Sequence, residues 1–578
     1  MTGPHPQFET CCISSLEKVF ADEALRAAPW TRGTALWSET YAFQVAYRSE
    51  ASLFPLRVAV SSELAAWTTV RSVGLSPSEL PVFVRSDDHV LRKTPGLYPD
   101  PLHSLPPEGV RAYPGQWRAL WIALELPSEA EFEAAGGSAG SVRSFPIEIR
   151  FEDEAGTTLG FERFVLDVLP AELPEQRLIH TEWMHCDCLA DYYRTEVFGE
   201  KHWELIERYA ENAVRHGVNM LLTPLFTPPL DTAVGGERLT VQLVDVERTE
   251  EGDYRFGFDK LARWLRMCDR VGIRYLEFSH LFTQWGAKHA PKIVAKVTEG
   301  GERKTMRLFG WETAAAGPAY RHFLERFLPA LDRFIRENKL EDRVYFHVSD
   351  EPNLEQLEDY RSARGILKEH LGGYPFIEAL SDYGFYEQGL VPVPIPATDH
   401  IGDFLENGVT ELWTYYCCGQ TVDVSNRFFS MPSARNRILG FQLYKFGIRG
   451  FLHWGYNFWN TQNSLAAIDP YRVTDAGGAF PSGDAFAVYP GPEGPLDSIR
   501  WEVFREALQD LRACELLESL AGRRKTLELL EADLPEPITF GRYPREASWL
   551  LEKRKEINET IARLVGANGQ VGEEDIRI

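Results

Sequence analysis

The amino-acid sequence predicts an α/β protein: a (β/α)8 TIM-type barrel preceded by an N-terminal β-sandwich region and followed by C-terminal helices. Three observations predict it. Short alternating runs separated by Pro and Gly fill the first third of the 578 residues. From Arg177 onward, apolar strand-like runs alternate with amphipathic helical segments. After about residue 498 only charged helical patterns remain. Alternation with period two marks half-buried strands, whereas strand–helix alternation marks a parallel sheet.

In the first third the strand-like runs are 40–48, 56–61, 120–126, 144–151 and 161–168. Their spacing suits one or two β-sandwiches within residues 1–172. The stretch 134–140 (AAGGSAG) reads as a flexible loop and 169–174 as the linker into the next unit. The barrel is expected over 175–510, its strands at 178–182, 220–223, 274–278, 343–348, 376–380, 397–400, 412–416 and 450–454. Pro392, Pro394 and Pro396 crowd the start of the sixth run. Helical spacing is clear at 203–216, 258–271 and 319–338, and Gly217 and Gly272 suit left-handed positions just past the first two. A helical extension then covers 511–578, with helices at 498–522 and 545–564, the latter read as a solvated packing helix.

A net charge of −24 with no basic cluster excludes a nucleic-acid partner, because phosphate binding needs grouped Lys and Arg. No apolar stretch reaches the roughly 20 residues of a membrane span. The start of the chain does not read as a secretory signal, and the 8 Cys include two vicinal pairs, Cys11–Cys12 and Cys417–Cys418, which disulfide frameworks rarely use. A cytoplasmic location is the expectation. Oligomerisation is left open. Aromatic residues reach 12%, including 15 Trp, which suits a site that stacks flat apolar ligand faces such as those of sugars.

In a parallel barrel the functional side chains sit at the C-terminal ends of the strands. There the fourth run delivers Asp350 and Glu351 (VYFHVSDEPN, 344–353), two adjacent carboxylates. Regular alternation would point them to opposite faces, so both reach one site only if the chain bends. Pro352 is expected to hold Glu351 extended and stop the helix, which makes the bend feasible. The alternative is that Asp350 caps the next helix while Glu351 is exposed. Other strand ends offer His180, Trp183 and Asp187 on the first, Asp382 and Tyr383 on the fifth, Trp413 and Tyr416 on the seventh, and His453, Trp454, Tyr456 and Asn457 on the eighth. His180, His185, Cys186 and Asp187 lack metal-ligand spacing, so no metal and no cofactor is expected. Two-carboxylate retaining glycosidases need a second carboxylate about 5–5.5 Å away. At the seventh strand Glu411 lies at the wrong end, and the top presents Tyr415, Tyr416 and Cys417. With no nucleophile there, an N-acetylated sugar could supply its own acetamido oxygen.

Several stretches resemble glycoside hydrolase family 123. They are Ser349-Asp-Glu-Pro352, GFLHWGYNFW at 450–459, Gly483-Asp484, VYPGP at 488–492, and DSIRWE at 497–502 with Arg505 and Asp510. The resemblance runs over about 177–515. It implies a retaining β-N-acetylgalactosaminidase-like enzyme with a β-sandwich before the barrel, acting on an oligosaccharide or glycoside with substrate assistance. Asp350 would orient the acetamido group, and Glu351 would be general acid, then base, its pKa raised by the neighbouring carboxylate. Tyr416, Trp413 and Trp454 are candidates for the acetamido pocket. Cys417-Cys418-Gly419 departs from the Pro-containing loop of the family. Imported oligosaccharides are the expected substrates. Two other readings stay open: a glycosidase for another sugar with Asp382 or Asp187 as nucleophile, and a silent carbohydrate-binding protein on the same fold.

Overall fold

A computed structural model describes residues 7–137 and 140–574. By its contacts the chain divides into two compact units that cut across the expected 1–172, 175–510 and 511–578 segments. One takes in Met1–Gln176, Thr421–Phe446 and Leu496–Ile578; the other is Arg177–Gln420 with Gly447–Pro495.

The first unit contains one two-sheet sandwich. Strands Phe8–Ser14, Thr40–Ser49, Arg118–Glu125, Thr68–Ser78 and Gly96–Ser104 form one sheet. Arg32–Trp37, Thr158–Glu172, Arg143–Glu152, Leu53–Ser61 and Val110–Ala112 form the other. Arg143–Glu152 shows why: Phe145, Ile147, Ile149 and Phe151 are buried while the residues between them are not. The two inner faces meet through Phe43 and Phe164, whose rings stack at 4.2 Å. The expected linker is mostly strand, because Leu169 and Glu172 pair with Leu36 and Trp37 around a bulge. Within 134–140, Ala134 ends a short helix with a Ser128–Glu131 capping box, and residues 138–139 lie outside those described.

The late helices belong to this unit because their buried faces pack within it. Ile499–Ala521 starts at the Ser498 cap and ends before Gly522, and it packs on Leu439–Phe446 and on Ala547–Glu574. Ala547–Glu574 outruns the expected helix and buries Leu550, Ile557 and Ile561 together with Arg554 and Asn558.

In the second unit the strands are β1 (Ile179–Glu182), β2 (Met220–Thr223), β3 (Tyr275–Phe278), β4 (Val344–Phe346), β5 (Ile377–Ala379), β6 (Val393–Ile395), β7 (Trp413–Tyr415) and β8 (Gly450–His453). Six of them form one parallel sheet in the order β4-β3-β2-β1-β8-β7. β5 and β6 pair with each other, and single parallel bridges, Phe346 to Phe376 and Ala397 to Tyr415, reach the sheet's two edges. Helices α1 (Glu200–Arg215), α2 (Asp259–Val271), α3 (Pro318–Glu337) and α4 (Leu357–Leu371) connect the early strands. Gly217 and Gly272 take φ of 88° and 93°, the left-handed exits that the sequence predicts. A four-stranded sheet from Asp245–Arg248, Tyr254–Gly257, Ile293–Glu299 and Glu302–Phe309 is inserted among them. Inside the strands, Met220, Leu222, Ile377, Ile395, Trp413, Tyr415 and Leu452 form one apolar cluster. Among the described residues no helix is long and apolar enough to cross a membrane.

Candidate active site

β4 stops at Phe346, and the chain turns sharply five residues later. Glu351 has φ of 44°, a left-handed conformation costing a non-glycine residue about 1–3 kcal/mol. The expectation that Pro352 holds Glu351 extended is therefore corrected. Tertiary hydrogen bonds outweigh the local preference: Glu351 N donates to Ala379 O (3.1 Å), Trp285 N to Asp350 O (2.9 Å), and Ser349 Oγ to Thr283 O (2.8 Å). The result overrides strand alternation. Asp350 and Glu351 line the same cleft, about 760 Å³ of space open to solvent.

Aromatic rings wall that cleft: Trp183 beyond β1, Trp285 after β3, Trp454 beyond β8, and Phe480. Trp285 is 43% exposed, which suits a ring that stacks on a ligand. Trp183 Nε1 donates to Glu277 Oε1 (2.7 Å) and Trp454 Nε1 to Asp484 Oδ2 (3.1 Å), so both indoles are fixed. From the end of β7 come Tyr415, Cys417 and Cys418. Tyr415 OH donates to Glu351 Oε1 at 2.6 Å. Opposite polarity enters with His185, Asp231, Gln284 and Gln462. Glu351 and Tyr415 also wall an adjoining cleft, which holds Asp382, Tyr383, His400 and Asp403.

Burial, then the charges of Glu351 and Glu378, pushes the Asp350 carboxyl well above the usual carboxylate range. Asp231 is pushed up to about 6, chiefly by burial. Its backbone is left-handed (φ 38°), its N donates to Gln284 Oε1 (2.6 Å), and its Oδ2 accepts from Asn463 N (3.0 Å). His185 is held down to about 3 by burial and Arg238, so its ring is neutral. Nε2 therefore donates to Trp454 O (2.9 Å) and Nδ1 accepts from Arg238 (3.1 Å). All eight cysteines are free thiols, and a hydrogen bond to Cys418 followed by burial pushes the Cys417 thiol up.

A family model for the catalytic domain of glycoside hydrolase 123 matches residues 183–517. The chain belongs to glycoside hydrolase family 123. It is a glycoside hydrolase, and its substrate is accordingly a carbohydrate. A solved family 123 glycoside hydrolase from Clostridium perfringens, studied for glycolipid glycan hydrolysis, superposes with a TM-score of 0.73 at 12% identity, covering 98% of this chain and 100% of that one. That likeness shows a shared fold. A β-galacturonidase of family 2 from Eisenbergiella tayi (10% identity, TM-score 0.31, 82% of this chain and 70% of that one) is far more remote. So is a family 5 mannosidase from Rhizomucor miehei (12%, 0.31, 61% and 95%). No curated protein sequence matches.

In this family 123 chain the expected site residues separate into groups. Asp350, Glu351, Trp183 and Trp454 share the cleft, and Asp382 and Tyr383 line the adjoining one. The rest lie elsewhere. Trp413 fills the apolar cluster within the strands, against Tyr345. Tyr416 is fully buried against Phe451 and His453. Side-chain parity explains Tyr416: Tyr415, one residue before it, is the tyrosine that β7 turns toward Glu351, while Trp413 shares the face of Tyr415 two residues earlier, within the apolar cluster. His180 and His453 are buried beside Glu182, at 3.3 and 3.6 Å. Tyr456 OH donates to Tyr209 O and Asn212 Oδ1, both at 2.9 Å. Asn457 holds His185, accepting its N–H at 2.8 Å. Asp187 is clamped by Arg238 through two bonds of 2.7 Å. Sequence reasoning missed Asp231, Gln284, Trp285 and Gln462, which come from loops where no periodicity points to them.

Beneath the cleft lies a buried polar cluster that the sequence did not announce. His347 Nε2 meets Glu277 Oε1 at 2.7 Å and Nδ1 meets Glu378 Oε1 at 3.4 Å. Burial opposes charge on His347, but the bonds and charges of Glu277 and Glu378 outweigh it and hold the ring up to about 10. His280 stacks on His347 at 4.1 Å, and burial and that neighbour keep it well below the usual range. His280, His347 and Glu378 are the side chains here close enough together to share a metal ion.

Proposed function

We propose that this hydrolase cleaves N-acetyl-β-hexosaminides, N-acetyl-β-galactosaminides foremost, with retention and by substrate assistance, on a closed (β/α)8 ring. The observation that carries the reading is the left-handed turn at Glu351, which turns two adjacent carboxylates into one aromatic cleft. Glu351, hydrogen-bonded to Tyr415 and shared by both clefts, protonates the leaving oxygen and then activates water. Asp350 accepts the acetamido N–H, so that the carbonyl oxygen attacks the anomeric carbon. The oxazolinium ion that forms holds its positive charge next to the Asp350 carboxylate until water, deprotonated by Glu351, attacks the anomeric carbon and opens it. Ring closure is supported by the two bridges that join β5 and β6 to the sheet's edges. The free thiols fit a reducing compartment, and cytoplasmic oligosaccharides or glycosides are the substrates proposed.

One observation favours a second reading. Asp231 is a third carboxyl in the cleft and could serve as an enzyme nucleophile. Of the other candidates, Asp187 has both oxygens tied to Arg238, and Asp382 lies in the adjoining cleft. Two inhibitors separate the mechanisms on the purified chain. An N-acetylhexosamine thiazoline should inhibit competitively and a 2-fluoro glycoside should leave no covalent label. Mass-spectrometric labelling of Asp231 with no thiazoline inhibition would reverse the assignment. Release from 4-nitrophenyl N-acetyl-β-galactosaminide and the gluco epimer, compared side by side, reads the sugar preference.

A further inference from the structure

We propose that Glu378, counter-charged by His347, is a positioning residue of this hydrolase: it ties down the turn that carries Asp350 and Glu351. The inference rests on the reading of those two residues as the reacting pair. Glu378 sits on β5, is 1% exposed, and turns its carboxylate to the segment that follows β4. Oε2 accepts from Val348 N (3.1 Å), Ser349 N (3.2 Å) and Tyr360 OH (2.8 Å), while Oε1 faces His347 Nδ1. Val348 and Ser349 are the two residues before Asp350. Two backbone N–H groups held by one buried carboxylate fix where the strand ends and the turn begins. Without that anchor the left-handed Glu351 would relax toward its ordinary conformations.

The anchor extends to the cleft wall. His347 bridges Glu378 to Glu277, and Glu277 also accepts from Thr181 Oγ1 and from the indole of Trp183. A buried carboxylate is costly unless it is paired and hydrogen-bonded, and here two carboxylates share one imidazolium. The groups that face Asp350 are Glu351, Glu378 and Glu277, all negative, and His347, positive. Arg364 and Tyr360 face Glu378 from α4, and His280 faces His347. The cluster therefore sets both the position of the pair and the field in which Asp350 ionises. Removing the Glu378 charge eases ionisation of Asp350; removing the His347 charge hinders it.

The test uses the full chain with 4-nitrophenyl N-acetyl-β-galactosaminide and the variants Glu378→Gln, His347→Gln and Tyr360→Phe, beside Asp350→Asn and Glu351→Gln. Glu378→Gln should lower kcat about 100-fold, as a displaced reacting group does, with KM changed less than about threefold. The acid limb of kcat/KM should move to lower pH in Glu378→Gln and to higher pH in His347→Gln. Loss of packing alone would not produce opposite shifts. Tyr360→Phe, the mildest change, should cost kcat about three- to tenfold and serves if Glu378→Gln does not fold. If the folded variants keep kcat and both limbs while Asp350→Asn and Glu351→Gln are inactive, the positioning role is wrong and the functional reading stands. Activity in Asp350→Asn and Glu351→Gln would remove both. A stoichiometric divalent metal in the purified protein, lost in Glu378→Gln, would also overturn the proposal, making His280, His347 and Glu378 a metal site.

Discussion

A charge cluster of the first unit and the cleft of the second handle carboxylates in opposite ways. In the first, Asp510 is fully enclosed, and each oxygen is matched: Oδ1 accepts from Arg437 Nη2 and Arg554 Nη1 (both 2.9 Å) and Oδ2 from Arg437 Nε (2.7 Å). Arg437 also holds Glu506 at 2.9 Å, and Arg554 holds Glu39. In the second, Asp350, Glu351 and Asp231 face a cleft, and no lysine or arginine among the described residues forms an ion pair with any of them. Matched charge holds helices and strands together. Of the unmatched carboxyls, Asp350 and Asp231 have proton affinities raised chiefly by burial, and such groups can move protons.

Variants on either side can break the comparison. The largest effect should come from Glu351→Gln, which removes the proton donor and should cut kcat/KM by about 10²–10⁴-fold with little change in melting temperature. Near-normal turnover would end its assignment as acid. In the first unit, Asp510→Ala should act the other way round. Leaving Arg437 and Arg554 short of a partner should cost about 3–5 kcal/mol in denaturant unfolding, while kcat of the folded fraction stays near normal. A smaller change sharpens the contrast. Asp231→Asn should cost about tenfold in kcat/KM if the side chain only binds sugar, as expected for one hydrogen bond to a charged group. Loss beyond about 10³-fold would favour its role as nucleophile. A further contrast is a pH effect. His347, raised to about 10 when folded against about 6.5 unfolded, stabilises the fold fully below pH 6.5, and that contribution is lost as pH rises through about 10. The stability gap between wild type and His347→Gln should therefore shrink over pH 6.5–10. A constant gap would show that the ring is neutral.

Much of the scaffold was legible from pattern alone. Five of the ten sandwich strands, the eight parallel runs, Gly217, Gly272 and the helix from Ser498 to Gly522 follow from local periodicity and capping. The Asp350–Glu351 pair was legible because adjacent carboxylates at a strand end are unusual. Trp285 and Asp231 were not, since each reaches the cleft from a loop that no periodic signal describes. Tyr416 shows the limit of naming a residue from a strand end without knowing which residue the sheet turns inward.

By itself, then, the sequence determined the eight parallel runs, the helices between the early ones and which two carboxylates stand where the fourth strand ends, because alternation, helical spacing and caps act over a few residues. Only the tertiary structure decided that the pair shares one cleft. Backbone groups of Thr283, Trp285 and Ala379, distant in sequence, hold Glu351 in a conformation that its own residue type and the following proline disfavour.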